Sequence, residues 1–562
     1  MAIKLFKHRW QNITLIVLSV LTIIALLGAL LLNSILTPIL SKKLKSAILK
    51  GTDSLYHVDF SKAELHIFRG KAVLYHITLK PDTAVYRKMK QRGTAPNNIF
   101  DIKIKRLLID DAQPLKLFLN KKLDIGSITL NNPHIQLSKY PNKSPGTTSK
   151  DERTLYQKIS RSLKLVHVGK IILNDINLIY KDNTGKVPAV SALKRMELKA
   201  TDLLIDSATQ TDSSRTLFCK NITTTLHNFS GTSAKGLYSY KVKFVTLSTQ
   251  TARLKVTGIN LQPLDPKSFF AKTRADRFAF RMDSLILNGF DFNTWFKQQI
   301  LNVSRITMSN GAIGVYSNPN PPLYSSDRLI TFPHYMLRNL KLHLNVDTLN
   351  VKGITVSYKQ YNKKAKKAGM VWFTKTAGRF LNITNQKAKL IKNNICTANL
   401  TTYIMSKGKL DASFTFNLSN PDYSYSYTGH LGPMDMRAAN IAAMPLGAVE
   451  ITSGRATSLD FNIHSTQKTS TGTVKFLYQD GKISMLKDKS GKEYSKKPLL
   501  SFLANTFVVK HDNPDDGSTT PRIAKVIFVR PANFPFFETM WLTLLKGIKA
   551  CAGVGKAEKK TC

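Results

Sequence analysis

Cysteine is scarce in this sequence, and its spacing indicates neither a metal site nor a disulfide framework. The 562 residues contain four cysteines, none of them in a CxxC pair or beside histidines at a zinc-binding spacing. We interpret Cys219, Cys396, Cys551 and Cys562 as isolated thiols. A disulfide between Cys551 and Cys562 near the C-terminus is the alternative.

The sequence also lacks the short motifs that accompany common catalytic and cofactor sites. It contains no glycine-rich dinucleotide loop, no phosphate-binding P-loop, no HExxH helix and no nucleophile elbow. An acidic cluster, Asp512, Asp515 and Asp516, lies in a loop where carboxylates are typical of turns, with calcium binding as the alternative. We therefore predict a protein that is not an enzyme and that has no cofactor, catalytic residue or metal site.

Acidic residues are few compared with basic ones. There are 35 Asp and Glu against 83 Lys and Arg, which gives a formal net charge of +48. Such an excess favours an anionic partner, either a lipid headgroup or a nucleic acid. A nucleic acid is disfavoured, because the basic residues form no compact nucleic-acid-binding module and an apolar segment precedes them.

One long run without charge or proline stands near the N-terminus. ITLIVLSVLTIIALLGALLL, residues 13–32, would form a helix of about 30 Å, the thickness of the hydrocarbon part of a bilayer. The run is longer than the apolar part of a signal peptide and has no convincing cleavage site. We predict an uncleaved transmembrane anchor over 11–40, after a basic cytoplasmic tail over 1–10. Since no later segment is long and apolar enough for a second crossing, the rest of the chain is expected on the far side of the membrane.

A phrase of alternating apolar residues, interrupted by a polar pair, recurs along the chain. The first two copies are DIGSITLNNPHIQL at 124–137 and HVGKIILNDINLIY at 167–180, and further copies follow at 281–293, 302–316 and 345–358. A spacing of 43 residues separates Ile125 from Val168 and also Val303 from Val346. Alternation with period two predicts strands that have one apolar face and one polar face.

The polar pairs of these copies accept a positive φ, and we interpret them as the turns of two-residue β-hairpins. They are Asn131-Asn132, Asn174-Asp175, Asn288-Gly289, Ser309-Asn310 and Lys352-Gly353. The predicted fold is mainly β: one N-terminal transmembrane helix, then a long curved antiparallel sheet that forms an apolar groove, with a few short helices and a C-terminal amphipathic helix. The segments 83–93, 153–163 and 292–300 are expected to be short helices. An ordinary compact antiparallel β-protein is the alternative.

Both ends of the chain carry segments that resemble a known family. They are SILTPILSKKLKSAIL, VDFSKAELHIFRGKAVLYHITLKPD and GSITLNNPHIQL on the N-terminal side, and 427–463 and 472–486 on the C-terminal side. These segments resemble the AsmA-like proteins, part of the wider group of repeating β-groove proteins that includes TamB. The resemblance covers about 41–140 and 425–550, and the middle of the chain follows in pattern only. It implies a single-pass protein of the bacterial inner membrane, with the bulk of the chain in the periplasm and a groove that carries phospholipid.

The resemblance and the pattern together predict how the chain is organised. A 41–160 N-terminal AsmA-like β segment leads to a 161–425 central β-groove, a 426–530 C-terminal AsmA-like β segment, and an amphipathic helix and tail over 531–562. The apolar members of the repeated phrase are expected to line the groove. They are Ile128, Leu130, Ile135, Leu137, Ile171, Leu173, Ile176, Leu178, Leu285, Leu287, Phe290, Leu349, Val351, Ile354 and Val356.

The expected function is what the resemblance implies, and a continuous apolar lining that would shelter acyl chains from water fits it. We expect a membrane-anchored protein that binds or transfers phospholipid, or another anionic envelope lipid, for outer-membrane biogenesis and homeostasis. Periplasmic or outer-membrane proteins are further candidate partners. The alternative is a non-enzymatic envelope scaffold or assembly factor for outer-membrane proteins, with a groove filled by the protein's own side chains.

The segment NFPFFETMWLTLLKGIKACAG predicts the C-terminal helix. Phe537, Trp541, Leu544 and Ile548 recur at helical spacing and would form one apolar face. Such a helix would either cap the open end of the sheet or dock on a membrane or a partner.

Overall fold

The structure is a computed structural model of the chain. It describes residues 48–49, 51–66, 69–142, 154–160, 162–185, 188–233, 235–273, 275–318, 327–362, 365–486 and 509–553. The predicted cytoplasmic tail (1–10) and transmembrane anchor (11–40) lie outside these residues, as does Cys562.

The protein is mainly β, and its 22 described strands form a mixed sheet. The strands are β1 Tyr56–Asp59, β2 Lys62–His66, β3 Lys71–Pro81, β4 Asn98–Ala112, β5 Lys122–Asn131, β6 His134–Lys139, β7 Leu165–Asp182, β8 Ala189–Ile205, β9 Cys219–Thr232, β10 Tyr238–Ser248, β11 Arg253–Pro263, β12 Arg277–Phe290, β13 Leu301–Tyr316, β14 Leu344–Asn362, β15 Lys367–Thr384, β16 Ile395–Ile404, β17 Gly408–Asn417, β18 Tyr425–Leu431, β19 Met434–Asp435, β20 Val449–Ser465, β21 Thr469–Met485 and β22 Ile523–Val529.

Short helices connect the strands, and a longer one follows the last strand. The α-helices are α1 Thr83–Gln91, α2 Pro114–Asn120, α3 Leu155–Ile159, α4 Phe269–Lys272, α5 Phe292–Gln298, α6 Pro333–Arg338, α7 Lys387–Lys392, α8 Asn440–Gly447 and α9 Phe536–Cys551, and 3₁₀-helices occur at Arg328–Thr331 and Met436–Ala439. α1, α3 and α5 confirm the three predicted short helices, and α9 confirms the C-terminal one. In the part of the chain described, no helix has the length and apolarity required to cross a membrane.

The antiparallel prediction is wrong where copies of the repeated phrase meet. β5 and β7 are parallel, with Ile125 beside Val168, and β13 and β14 are parallel, with Val303 beside Val346. The 43-residue spacing is therefore the offset between parallel neighbours. Parallel strands need a long crossover connection, and the segments that contain α3 and α6 provide it. Most other strand pairs are antiparallel, as expected.

The hairpin interpretation of the polar pairs is also wrong, although their positive φ is confirmed. Strands β7, β12, β13 and β14 run through their pairs, and only the first copy is divided, between β5 and β6. The second residue of each pair alone is left-handed, for example Asp175 (φ 54°) and Gly353 (φ 66°), whereas a type I′ hairpin needs two such residues. In β7 the three steps from Leu173 to Ile176 face two steps of β8, so the extra residue forms a β-bulge.

Neighbouring bulges are stacked, which fixes the register of the parallel strands. Asn174 Nδ2 donates a hydrogen bond to Asn131 Oδ1 at 3.0 Å, and the backbone N–H of Asn132 donates to the carbonyl of Asn174, also at 3.0 Å. Because each strand inserts its extra residue at the same level, the apolar side chains on either side of the bulge keep facing one side of the sheet.

The chain divides into two compact units. The N-terminal unit comprises the described residues up to Asn260 together with Leu287–Gln299, and the C-terminal unit comprises Leu261–Ile286 and the described residues from Ile300. The N-terminal unit has a closed core of side chains from Val58 in β1 to Ile222 in β9. The core of the C-terminal unit is built mainly by β16–β22, with Phe332 and Cys551 also buried in it.

Local structure recurs along the chain at a spacing of 178 residues. Helices α2 and α5 are each seven residues long and begin 178 positions apart, at Pro114 and Phe292. Each is followed by a left-handed residue, Lys121 or Gln299. We call β5–β8 the N-terminal repeat and β13–β15 the C-terminal repeat, because the parallel pair and its bulges recur in both at this spacing. The antiparallel strand that follows, β8 or β15, recurs at a spacing of 180 residues, as the partners Leu198 of Leu173 and Gly378 of Val351 show.

Candidate functional site

The C-terminal repeat carries a row of apolar side chains that its own fold covers only in part. Cross-strand register joins Ile306, Leu349 and Phe380 across β13, β14 and β15. All three are partly exposed, and so are the apolar neighbours named below, whereas Ile354, between Val351 and Val356 in β14, is 1% exposed. We call this surface the apolar strip; its residues are Ile306, Met308, Ile313, Val315, Leu349, Val351, Val356, Tyr358, Phe373 and Phe380.

The equivalent face of the N-terminal repeat is closed. Leu173, which corresponds to Val351 at the 178-residue spacing, is 2% exposed, and Ile128, which corresponds to Ile306, is 0% exposed. Both belong to the N-terminal core, where neighbouring strands supply the packing. A ligand could reach these residues only by displacing the protein's own side chains.

The predicted lining residues therefore fall into two groups. The larger group is buried in the described structure and consists of Ile128, Leu130, Ile135, Leu137, Ile171, Leu173, Ile176, Leu178, Leu287, Phe290 and Ile354. Leu285, Leu349, Val351 and Val356 are partly exposed, and the last three belong to the apolar strip. For the buried group the structure supports a packing role, and the lining role of the exposed group stays a prediction.

Sequence reasoning missed the aromatic part of the strip. Phe373 and Phe380 lie opposite Val356 and Leu349, but β15 carries no copy of the repeated phrase. Tyr358 ends the copy at 345–358 and was not among the predicted lining residues. Alternation within MVWFTKTAGRF places Phe373 on an apolar face, and that signal could have identified it. Phe380 could not be placed in this way, because register shifts lie between the residues of β14 that face Phe373 and Phe380.

Helices α8 and α9 cover the strip at one end. The ring of Phe537 in α9 lies 5.0 Å from the ring of Tyr358 and 6.1 Å from that of Phe373, measured between centroids. Leu446 of α8 lies over Gly369 so closely that a Cβ there would be 2.5 Å from the leucine Cγ. The strip is thus shielded where β14 ends and β15 begins.

A buried arginine, Arg530, fixes the start of α9 beside the strip. The guanidinium of Arg530 is almost fully buried and donates to both carboxylate oxygens of Asp327, at 2.7 and 2.9 Å. The backbone N–H of Arg328 donates to the carbonyl of Ala532, and that of Phe536 donates to the hydroxyl of Thr331. The guanidinium of Arg530 also donates to the carbonyls of Ala532 and Phe534, just before the helix, at 3.1 Å each. Because Arg530 holds these carbonyls and Asp327 together, it sets the direction in which α9 leaves the sheet.

A carboxyl group lies at the covered end of the strip. Burial raises the pKa of Glu538 to about 7, against the opposing effects of the Arg328 cation and a hydrogen bond with Gln360. Burial also raises the pKa of Tyr358, and the nearby Glu538 carboxylate adds to that effect. Arg328 donates to Asp276 at 3.2 Å. The covered end of the strip is therefore polar and titratable near neutral pH, whereas its middle is apolar.

The buried face of α9 differs from the predicted one. Thr539, Thr543 and Gly547 face the sheet, and a Cβ at Gly547 would lie 2.5 Å from Val474. The predicted face of Phe537, Trp541, Leu544 and Ile548 lies beside this contact: Phe537 joins the strip, Leu544 and Ile548 pack at the margin of the core, and Trp541 is 38% exposed. Small residues form the contact because they let the helix approach the strands closely.

A polar concavity of about 750 Å³ lies on β15–β22 of the same unit. His430 Nδ1 and Asp460 Oδ1 are 2.6 Å apart, and the hydroxyl of Ser413 donates to Asn399 at 2.7 Å. The hydroxyl of Thr401 donates to Asp411 at 2.5 Å. These side chains are bonded to one another across the strands, and among the described residues around the concavity no hydroxyl is hydrogen-bonded to His430. The arrangement suits cross-strand stabilisation better than nucleophilic catalysis.

The acidic loop near the C-terminus forms ion pairs. Asp515 contacts Lys510 and Arg522, each at 2.6 Å, and these cations lower the pKa of its carboxyl group. Asp512 accepts the backbone N–H of Asp480 and lies 2.8 Å from His511 Nδ1. Asp512 and Asp515 therefore have partners within the loop, as carboxylates in turns do, and the choice between a turn and a calcium loop stays a prediction.

The described cysteines are separate, buried thiols. Cys219 is in the N-terminal core, and Cys396 and Cys551 are in the C-terminal core. Burial raises the pKa of Cys219 to about 12 and that of Cys396 to about 11, so neither is a reactive thiolate at neutral pH.

Comparison with known proteins gives no family assignment. No protein-family model matches the chain, and no curated protein matches it. The functional argument therefore rests on the apolar strip and its surroundings.

Proposed function

We propose that the protein is an AsmA-like β-groove protein of the bacterial envelope that binds a phospholipid or another anionic envelope lipid through the apolar strip. In this proposal residues 11–40 anchor the chain in the inner membrane and the described units lie in the periplasm. The observation that carries the proposal is the difference between the repeats: the C-terminal repeat leaves partly exposed the face that the N-terminal repeat closes.

The strip suits an acyl chain. Its members are aliphatic or aromatic, so they offer no polar group in the middle of the surface that would hold a ligand at one point. Each methylene transferred from water to such a surface contributes about 0.8 kcal/mol. The exposed lysines and arginines of the chain, with a net charge of +48, would favour lipids with anionic headgroups.

A matched pair of photocrosslinking variants tests the proposal. A diazirine amino acid of about the size of methionine is placed at Val351 of the strip or at the equivalent Leu173 of the closed core, in full-length protein in native membranes. We expect adducts with the mass of a phospholipid at Val351 and none at Leu173. Mass spectrometry of the purified, irradiated protein detects the adduct.

Two further positions decide whether a negative result is informative. The same amino acid at Leu349 and Val356 samples the rest of the strip, and at exposed Ile391 it reports non-specific labelling. Absence of lipid adducts at Val351, Leu349 and Val356, or labelling no higher than at Ile391, would overturn lipid binding by the strip.

The scaffold remains the second candidate function, because the N-terminal repeat supports it. That repeat fills its apolar face with its own side chains, as a structural module would. A scaffold would yield protein adducts of fixed mass from the strip in the same experiment, whereas a lipid carrier would yield lipid adducts.

A further inference from the structure

Helix α2 of the N-terminal unit exposes a cluster of large apolar side chains. Leu115, Phe118 and Leu119 are 75%, 73% and 75% exposed. They stand at positions i, i+3 and i+4 and therefore share one face of the helix. Single exposed apolar residues are common on protein surfaces, but three on one turn form a patch that calls for a partner.

The fold does not require this exposure. Helix α5 has the same length and the same left-handed residue after its end, yet it buries its first residue, Phe292, against the ring of Phe290 at a centroid distance of 4.4 Å. The residues of α5 that correspond to Leu115 and Leu119 are the polar Asn293 and Lys297. Helix α2 is attached to its own unit by Leu117, which packs against the N-terminal core.

Basic residues surround the patch. Lys121, Lys122 and Lys164 are exposed, and the backbone N–H of Lys164 donates to the carbonyl of Lys121, so the strand starts that carry them are adjacent. Within the described ranges no carboxylate forms an ion pair with any of the three. Arg69 is a further exposed basic residue near the start of α2. The carbonyl of the next residue, Gly70, accepts the N–H of Ala112, which lies two positions before the helix.

The acidic groups nearby offset only part of this charge. Asp124 lies 2.6 Å from Lys116 and 2.8 Å from His167 and is therefore already paired. Asp110 and Asp111 end β4 just before the helix, with Asp111 turned to a left-handed φ of 52° and packed against Gly126. The surroundings of the apolar patch are thus positively charged on the side of Lys121, Lys122 and Lys164.

An apolar patch with lysines beside it matches one kind of surface in particular. Anionic bilayers present acyl chains just below a layer of phosphates, and short amphipathic elements bind there by inserting apolar side chains while cations contact the phosphates.

We propose that α2 is a membrane-contact element that inserts Leu115, Phe118 and Leu119 into the interface of an anionic bilayer, with Lys121, Lys122 and Lys164 against lipid phosphates. This contact is separate from the apolar strip and does not depend on lipid binding there. It would hold the N-terminal unit against a membrane surface.

Tryptophan quenching tests the contact at the helix itself. Full-length Phe118→Trp protein is reconstituted into vesicles of phosphatidylglycerol and phosphatidylcholine in equal parts, with lipids brominated near the headgroup end of the acyl chain. The matched control is Phe296→Trp, at the equivalent position of α5. We expect quenching of the introduced tryptophan to be about twofold or more stronger at position 118 than at position 296.

Charge and lipid variants separate the explanations. In the Phe118→Trp background, Lys121→Gln, Lys122→Gln and Lys164→Gln together, or vesicles of phosphatidylcholine alone, should reduce the quenching at least by about half. Quenching at position 118 that is no stronger than at position 296 would overturn the proposal. Quenching that stays the same after the three lysine substitutions and in vesicles of phosphatidylcholine alone would also overturn it. A blue-shifted emission of the introduced tryptophan without lipid would instead show that the chain itself covers the patch, which also overturns it.

Discussion

Leu173 in the N-terminal repeat and Val351 in the C-terminal repeat occupy equivalent places beside a β-bulge, but their surroundings differ. Leu173 is enclosed by the side chains of neighbouring strands, whereas Val351 is partly exposed on the apolar strip. Seven of the eight predicted lining positions of the N-terminal repeat show the same contrast: they are buried there and partly exposed in the C-terminal repeat. The eighth position, Ile176 in one repeat and Ile354 in the other, is buried in both. One strand template thus supports either a closed core or an accessible apolar face.

Side-chain size contributes to the difference. The eight N-terminal positions are all Ile or Leu, whereas the C-terminal repeat has Val at positions 315, 351 and 356. Gly378 also lies opposite Val351, whereas Leu198 lies opposite the equivalent Leu173 in the other repeat. Smaller side chains fill less of the space above the sheet, so a face with the same alternation is left incompletely packed.

The largest expected effect would test this contrast directly. Leu173→Ala should lower the free energy of unfolding by about 3 kcal/mol, because it leaves a cavity in a closed core. Val351→Ala should lower it by about 1 kcal/mol or less, because the side chain it shortens is already partly exposed. Urea unfolding of the purified variants measures both, with Trp295 reporting the N-terminal unit and Trp372 the C-terminal unit. Similar losses in the two variants would show that the strip is packed as tightly as the core.

The sequence was a good guide to strand pattern and a poor guide to strand pairing. Alternation predicted extended backbone on both sides of Asn174-Asp175, and β7 is extended on both sides. The pair itself predicted a positive φ, which is present at Asp175 only, and the strand continues through the pair instead of turning. Alternation is the same in parallel and antiparallel strands, however, so it could not show that β5 and β7 are parallel. The 43-residue spacing was the better signal, since an equal offset in two places indicates stacked copies joined by crossovers.

The accessible surface could be predicted only in part, because apolar identity does not say which face becomes covered. Val351 and Leu173 gave the same signal, and the difference arises from residues far away in sequence. The face of α9 shows the same limit. Phe537 and Trp541 gave the strongest apolar pattern, but contact with the sheet selected small residues such as Thr543 and Gly547, which allow a close approach.

A second prediction uses the carboxyl group at the covered end of the strip. Burial raises the pKa of Glu538 to about 7 in the folded protein, above the ordinary value of 4.5 for an exposed glutamate. Between these values the unfolded chain has lost a proton that the folded protein still holds, so stability falls as the pH rises from about 4.5 to about 7. Glu538→Gln removes this loss. The variant should be about 2 kcal/mol more stable than the original at pH 8, with a much smaller gain near pH 5.

Unfolding midpoints across that pH range would check the sign of the effect. Glu450→Gln, which removes a carboxylate from β20 of the same unit, is the control and should show no comparable trend. If the Arg328 cation has a larger effect than burial on the pKa of Glu538, the glutamine variant will be less stable than the original protein at pH 8. That result would contradict the proposed environment of the strip.

The smallest expected effect distinguishes a β-bulge from a hairpin in the C-terminal repeat. Gly353 has a φ of 66°, so Gly353→Ala should cost about 1 kcal/mol of stability. Lys352 lies within β14 and is not left-handed, so Lys352→Gly should also destabilise, by about 0.5–1 kcal/mol. A two-residue hairpin would need positive φ at both residues, and glycine at position 352 would then stabilise the protein. Urea unfolding of the two variants gives the answer: a gain in stability from Lys352→Gly would refute the stacked bulges on which the equivalence of the two repeats depends.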